Sequence, residues 1–262
     1  MRRYARLYLY FLRFSFSKAM EFRVDFFFRV IMDLFFYMVQ FLFFGILYLH
    51  TPMLGGWTQD QITIFISSYI FVDAFHMTFF ANNTWWLPIY INRGDLDYYL
   101  TKPVSSFFFL GFKEFAANSL INLILAFSIL VYNLCGYPES FSALKLFFFF
   151  ILLFNGAFLY FMTYLLFLLS VFWTGSSRGF ADIFYAAEKV FQRPDGIFTG
   201  YFRRFFLTLL PFSLMASFPT RFLLQEDISV VLFEIVIGSV FVYSLVYLTW
   251  TRGLKIYSSA SS

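Results

Sequence analysis

In five places this chain runs for about 20 residues with few charges, the length a helix needs to cross the hydrocarbon core of a bilayer: residues 26–49, 62–81, 107–131, 144–173 and 228–250. Such helices satisfy their backbone groups internally and tolerate lipid on every side. Composition removes the soluble alternative. Apolar residues make up 61% of the chain and charged ones 13%, and the mean hydropathy is +0.73. Too few polar side chains exist to coat a water-soluble domain of 262 residues. The sequence therefore predicts an all-α integral membrane protein with membrane lipid as its first partner, and nucleic acid is not expected as one.

The 45 Phe residues look at first like aromatic lining for a ligand. Runs such as 26–28 and 147–150 point around the whole circumference of a helix, which suits lipid-facing filler better than a site. Cys135 is the single cysteine and His50 and His76 are the two histidines. An internal disulfide is excluded, and a metal centre is not expected.

Charges assign the sides. Arg2, Arg3, Arg6, Arg13, Lys18 and Arg23 interrupt residues 1–25, where a cleavable signal would need an unbroken apolar core. Tyr4, Leu7, Tyr8, Phe11, Leu12, Phe14 and Phe16 lie between them, which predicts an amphipathic helix lying in the cytoplasmic interface. A transmembrane domain over 26–262 follows. Arg93 and Lys102 sit between the second and third spans, Arg252 and Lys255 follow the last, and loops 51–61 and 133–142 hold no Lys or Arg. The positive-inside rule then predicts six transmembrane helices with both termini cytoplasmic. The remaining span lies in 174–225, and two readings stay open. Either 205–224 is span five, with Arg178, Lys189, Arg193, Arg203 and Arg204 kept inside, or 176–197 is span five and 205–224, carrying Pro211 and Pro219, is re-entrant from outside. No internal repeat of the kind found in inverted-repeat carriers is visible.

The most informative polar stretch is 82–106, NNTWWLPIYINRGDLDYYLTKPVSS. Pro88 suits the start of a turn or helix, Asn92 to Asp95 is turn chemistry with Gly94 able to take a positive φ, and Lys102-Pro103 stops a helix. Between these breaks fits a short helix or turn at the membrane surface. It would offer Arg93, Asp95, Asp97 and Lys102 to the cytoplasm and hold Leu96, Tyr99 and Leu100 against the bilayer. Charge rules alone also allow a loop tuned only for topology.

The run Ile91-Asn92-Arg93-Gly94-Asp95-Leu96-Asp97, followed by Leu100-Thr101-Lys102-Pro103, resembles the inside loop G-x-L-D-x-x-L-x-[KR]-P of type-2 ABC transporter permease subunits, the ABC-2 exporter class. The tail 250–262 and the stretch from Leu210-Pro211 to Phe218-Pro219 resemble that family too, and the likeness runs nearly end to end. The resemblance implies a six-helix permease in a bacterial cytoplasmic (inner) membrane, working with separate ATPase subunits. Its coupling residues would be Asn92, Arg93, Gly94, Asp95, Leu96, Asp97, Leu100, Lys102 and Pro103. It also implies an interfacial N-terminal helix and favours a re-entrant segment after helix five. No cofactor is expected in this chain, and ATP and Mg would belong to the partner ATPase. The chain carries no GxxxxGK[ST] phosphate loop, so ATP hydrolysis is expected in another polypeptide. One coupling loop per chain calls for two permeases, as a homodimer or beside a sister permease.

Intramembrane polar residues are the candidates for contact with cargo. Arg29 and Asp33 lie four apart on one face of span one, Asp73 and His76 three apart in span two, Lys113 and Glu114 near the start of span three, and Glu234 near the start of the last. Arg29, Lys113, Glu114 and Glu234 also fit plain snorkelling to an interface, and Asp73 with His76 fits a packed, hydrogen-bonded pair. No H-E-x-x-H, no G-x-S-x-G and no His-rich helix face is present, so catalytic residues are not expected. The alternative function is a non-transporting structural or assembly subunit whose 91–103 loop still binds a partner.

Overall fold

The structure is a computed structural model that describes residues 2–19, 23–198, 200–201, 212–224 and 228–257. Arg203, Arg204, Leu210 and Pro211, and residues 258–262 of the tail, lie outside the described residues. The described chain is helical: α1 Arg2–Ala19, α2 Arg23–Tyr48, α3 Gln59–Phe79, α4 Ala81–Arg93, α5 Leu96–Leu100, α6 Ser106–Phe112, α7 Ser119–Cys135, α8 Ala143–Leu168, α9 Val171–Thr174 and α10 Arg178–Phe191. Two 3-10 turns, Asp195–Ile197 and Phe212–Leu214, lead to α11 Ser217–Leu224 and α12 Ile228–Ile256. Among the described residues, four stretches are long and apolar enough to cross a bilayer: Phe27–Tyr48, Gln59–Phe79, Ala143–Thr174 and Ser229–Ile256.

α3 forms the centre because it is apolar around most of its circumference, not along one stripe. Ile62, Phe65, Ile66, Tyr69, Ile70 and Val72 are all buried, and the helix packs against α2, α4, α7, α8 and α11. A capping box fixes its start: the Gln61 amide donates to Thr58 Oγ1 at 3.4 Å, and the Thr58 amide donates to Gln61 Oε1 at 3.0 Å. α8 is the second core helix, with Leu153, Ala157, Leu159, Tyr160 and Phe161 buried. The outer faces of α2 and α12 expose Phe27, Phe28, Phe35, Val39, Phe233, Val236 and Val240, broad apolar faces of the kind a bilayer accommodates. Within the phenylalanine run of α8, Phe147 and Phe148 are exposed while Phe149 is fully buried. The filler reading thus fits the outer faces, and one residue of the run belongs to the core.

Two expectations need correction. Where the sequence predicts one span over 107–131, the chain forms α6 and α7 separated by a non-helical stretch at 113–118. The break persists because other segments satisfy its backbone. Asn83 clamps Glu114 from both sides, accepting from the Glu114 amide at 2.7 Å and donating to its carbonyl at 2.8 Å. The Ala116 amide donates to the Thr78 carbonyl at 2.8 Å, and the Phe115 amide to Ser15 Oγ at 3.2 Å. In addition, Pro88 neither opens a turn nor starts a helix, because it sits inside α4. The stretch read as a loop, 82–106, is mostly α4 and α5.

The two ends of the bundle differ in sequence and in place. One end carries α5 and the α9–α10 turn, where Asn92 Nδ2 donates to the Gly175 carbonyl at 2.9 Å. The opposite end carries the loop before α3, where the backbones of Gly55 and Gly196 meet so closely that a Cβ on Gly196 would stand 2.1 Å from the Gly55 carbonyl oxygen. The stretch 176–197 therefore runs from one end to the other. Residues 212–224 instead form a 3-10 turn and α11, with Phe212, Met215, Ala216, Phe218 and Leu223 covered by α3, α8 and α12. Protein rather than lipid surrounds 212–224.

Candidate functional site

α5 is a five-residue helix held in place by its surroundings, since a single turn has no stability of its own. Gly94 ends α4 in the left-handed region at φ 79°, which lets the chain reverse directly into α5. Leu96 and Tyr99 are buried on the inner side, whereas Asn92, Arg93, Asp95, Leu100 and Pro103 are exposed and Tyr98 is 60% exposed. Asp97 and Lys102 are half-buried, with Lys102 Nζ 3.9 Å from the centre of the Tyr98 ring. Leu96 and Tyr99 thus pack on protein, where the sequence predicts contact with the bilayer.

Two hydrogen-bonded ties and one contact hold the α5 segment to the bundle. Asn92 reaches Gly175 as described. Lys113, in the break between α6 and α7, donates to Tyr99 Oη at 2.9 Å and to Tyr90 Oη at 3.4 Å. Tyr257, just past α12, stands against Asp97. Burial pushes its phenol up, and the Asp97 and Asp95 carboxylates add to that. The Tyr257 ring also meets Phe172 of α9 at 6.3 Å. Displacing α5 therefore pulls on the α6–α7 break, the α9–α10 turn and the end of α12 together. α1 joins the same end: its Tyr4 and Tyr8 pack edge-on against Phe108 and Phe112 of α6 at 4.8 and 6.4 Å.

The deeper polar residues gather elsewhere. Asp33 of α2 accepts a hydrogen bond from Asn122 of α7 and feels Arg29 electrostatically. Asp73 of α3 lies within electrostatic reach of Asp33 and of Glu188 on α10, and Glu188 bonds Tyr160 of α8. Among the described residues no three of His, Cys, Asp and Glu stand close enough to hold one metal ion.

With this geometry in hand, the match to known families is specific: residues 34–261 fit the family described as ABC-2 family transporter protein. The chain belongs to that family. No curated protein and no solved structure matches it. The chain is thus a permease subunit of an ABC-2 transporter, a multi-pass membrane protein whose family implies partnership with an ABC ATPase subunit.

The permease brings its sequence-predicted residues into two groups and leaves one apart. Asn92 to Pro103 form the exposed segment at one end, with Lys113 fastened beneath it and Glu114 held by Asn83 at the helix break. The Lys113 side chain is tied to α5 through Tyr99, whereas Asn83 holds only the backbone of Glu114. Arg29, Asp33, Asp73 and His76 fall around the interior group. His76 corrects the hydrogen-bonded-pair reading: both its ring nitrogens lack a partner among the described residues, because the ring turns onto Tyr160, 4.0 Å away between centroids. Glu234 is exposed on α12, apart from both groups.

Sequence reasoning passed over Glu188, Asn83 and Asn122. A signal for Glu188 existed. It lies four residues after Phe184, which is fully buried, so a helix over 178–191 puts both on the inward face. For Asn83 there was no such signal, because its role depends on a helix break that hydropathy hides.

Proposed function

We propose that this permease is the membrane subunit of an ATP-driven exporter, crossing the bacterial cytoplasmic membrane six times with both termini inside. It would work as one of two permeases above a pair of separate ATPase subunits. The run 176–197 supplies the fifth crossing, and 212–224 is the re-entrant segment on the outer side. The loop 91–103 is the coupling segment, and α1 rides in the cytoplasmic interface. ATP and Mg belong to the partner.

One observation carries this reading. α5 presents Asp95 and Tyr98 outward while its inner residues are fastened to three separate parts of the bundle. A partner gripping the outer face moves a lever, not a loose loop. ATP-driven closure of the ATPase pair would then tilt α6, α9 and α12 through those fasteners.

The test is purification in mild detergent from the native membrane, without crosslinker, comparing the wild type with Asp95, Asp97 and Lys102 all changed to Ala. A stoichiometric ATPase present with the wild type and lost from the variant supports coupling through α5. An ATPase retained by a correctly folded variant moves the contact elsewhere. If none is found in either preparation, including in nanodiscs, the chain is a non-transporting structural subunit.

A further inference from the structure

Three carboxylates from three helices share the interior of the bundle, a costly arrangement in a medium of low dielectric. Asp33, Asp73 and Glu188 are each half-buried. Arg29 acts on Asp33, whereas the charges acting on Asp73 are the other two acids. Asn122 donates a hydrogen bond to Asp33, and Tyr160 bonds Glu188. Tyr37, Tyr69 and Tyr160 wall it, all buried, and Gln192 bonds both Tyr69 and Gln40 at its edge.

A second observation points to a ligand. His76 is 2% exposed, its two ring nitrogens have no hydrogen-bond partner among the described residues, and its ring lies on Tyr160, the residue that bonds Glu188. It sits one turn from Asp73, on the same side of α3. A buried imidazole left in that state is destabilising, and it provides polar capacity that nothing among the described residues uses. The same acids are too dispersed to close on a metal ion, so the matching cation is larger. Aromatic faces beside carboxylates suit an organic cation, which gains ring attraction together with ion pairing. Access is lateral. α2 meets the α10 side through Gln40 with Gln192 and through Phe43 with Arg193, while Phe35, Met38, Val39 and Leu42 of α2 face outward.

We propose that Asp33, Asp73 and Glu188, with Tyr37, Tyr69, Tyr160 and His76, form the recognition site for a cationic amphipath: a protonated or quaternary amine on an apolar body, reached from the bilayer along the α2–α10 seam. That this ligand is the transported cargo rests on the exporter reading above. Binding does not.

The experiment uses the full-length permease in lipid nanodiscs without any ATPase. Radiolabelled tetraphenylphosphonium is the probe, and tetraphenylborate, of the same shape and opposite charge, is the control. The wild type binds the cation saturably above empty discs and does not bind the anion saturably. Asp73→Asn and Glu188→Gln each weaken cation binding by about tenfold or more, while Glu139→Gln, an exposed acid outside the cluster, binds as the wild type. Absence of saturable cation binding in the wild type overturns the proposal, as does equal binding of both probes, and both arms stand even if the variants misfold. Folded Asp73→Asn and Glu188→Gln proteins that bind like the wild type also overturn it. Cation binding by a permease that captures no ATPase upholds the site and breaks the exporter reading instead.

Discussion

The two ends of the bundle handle charge in opposite ways. At the end holding Gly55, Asp195 is 1% exposed and pairs with Arg221 Nη2 at 2.8 Å. Ser217 donates to the same carboxylate at 2.5 Å, so the chain itself answers the charge. At the α5 end, Arg93 and Asp95 lie exposed, and the bonds made there go to the inner side of the segment. The first arrangement is a clasp that fixes 195–197 to α11. The second leaves its charges for something outside the chain. Polar residues in a membrane protein are costly to place, and their satisfaction separates those that serve the fold from those that serve a partner.

The contrast breaks if the clasp proves dispensable. Asp195→Ala strands the Arg221 guanidinium in a largely buried site and is expected to cost about 3–5 kcal/mol. It should be read as loss of folded, monodisperse protein and a lower thermal midpoint in detergent. Asp195→Leu combined with Arg221→Met removes both charges and should restore most of that loss. Failure of the double variant to recover would mean that the clasp does more than neutralise itself. Asn83→Ala comes next. It removes two bonds to the Glu114 backbone and should cost about 2–4 kcal/mol, with Asn83→Asp, which keeps the acceptor only, falling between. An unchanged midpoint for Asn83→Ala would show that the break at 113–118 is held by Thr78 and Ser15 alone.

How much of this was legible follows from the range of each signal. Hydropathy is local, so the long apolar helices α2, α3, α8 and α12 stood out, and so did Gly94, whose positive φ is encoded in the turn sequence around it. The break at 113–118 was hidden because Phe107 to Phe112 and Leu120 to Val131 are both apolar, and the groups that hold it open come from Ser15, Thr78 and Asn83. Between 174 and 225, hydropathy and charge favoured 205–224, and Pro211, Pro219 and the family resemblance kept 176–197 open. The contacts that lay 176–197 from end to end join residues far apart in sequence, Gly55 with Gly196 and Asp195 with Ser217. Asp33 and Asp73 were visible as charges in apolar segments. Their meeting with Glu188 was not, since it requires the packing of three helices.

The α5 end gives the smaller stability effects and the sharper functional ones. Gly94→Ala places a Cβ at φ 79° and should cost about 1–2 kcal/mol. Its effect on ATPase capture should exceed its effect on stability, because it redirects α5 without touching its outer face. Asp95→Ala is the smallest of all in stability, within about 0.5 kcal/mol of the wild type, since the side chain is exposed and the helix is held from its inner side. The two measurements must therefore separate: an unshifted thermal midpoint with a weakened ATPase complex. A large midpoint shift would mean that Asp95 serves the fold as Asp195 does, and the distinction between the ends would collapse. An unshifted midpoint with an undiminished complex would instead move the grip along α5 to Tyr98 and Lys102, the cation–aromatic pair on its remaining outer surface.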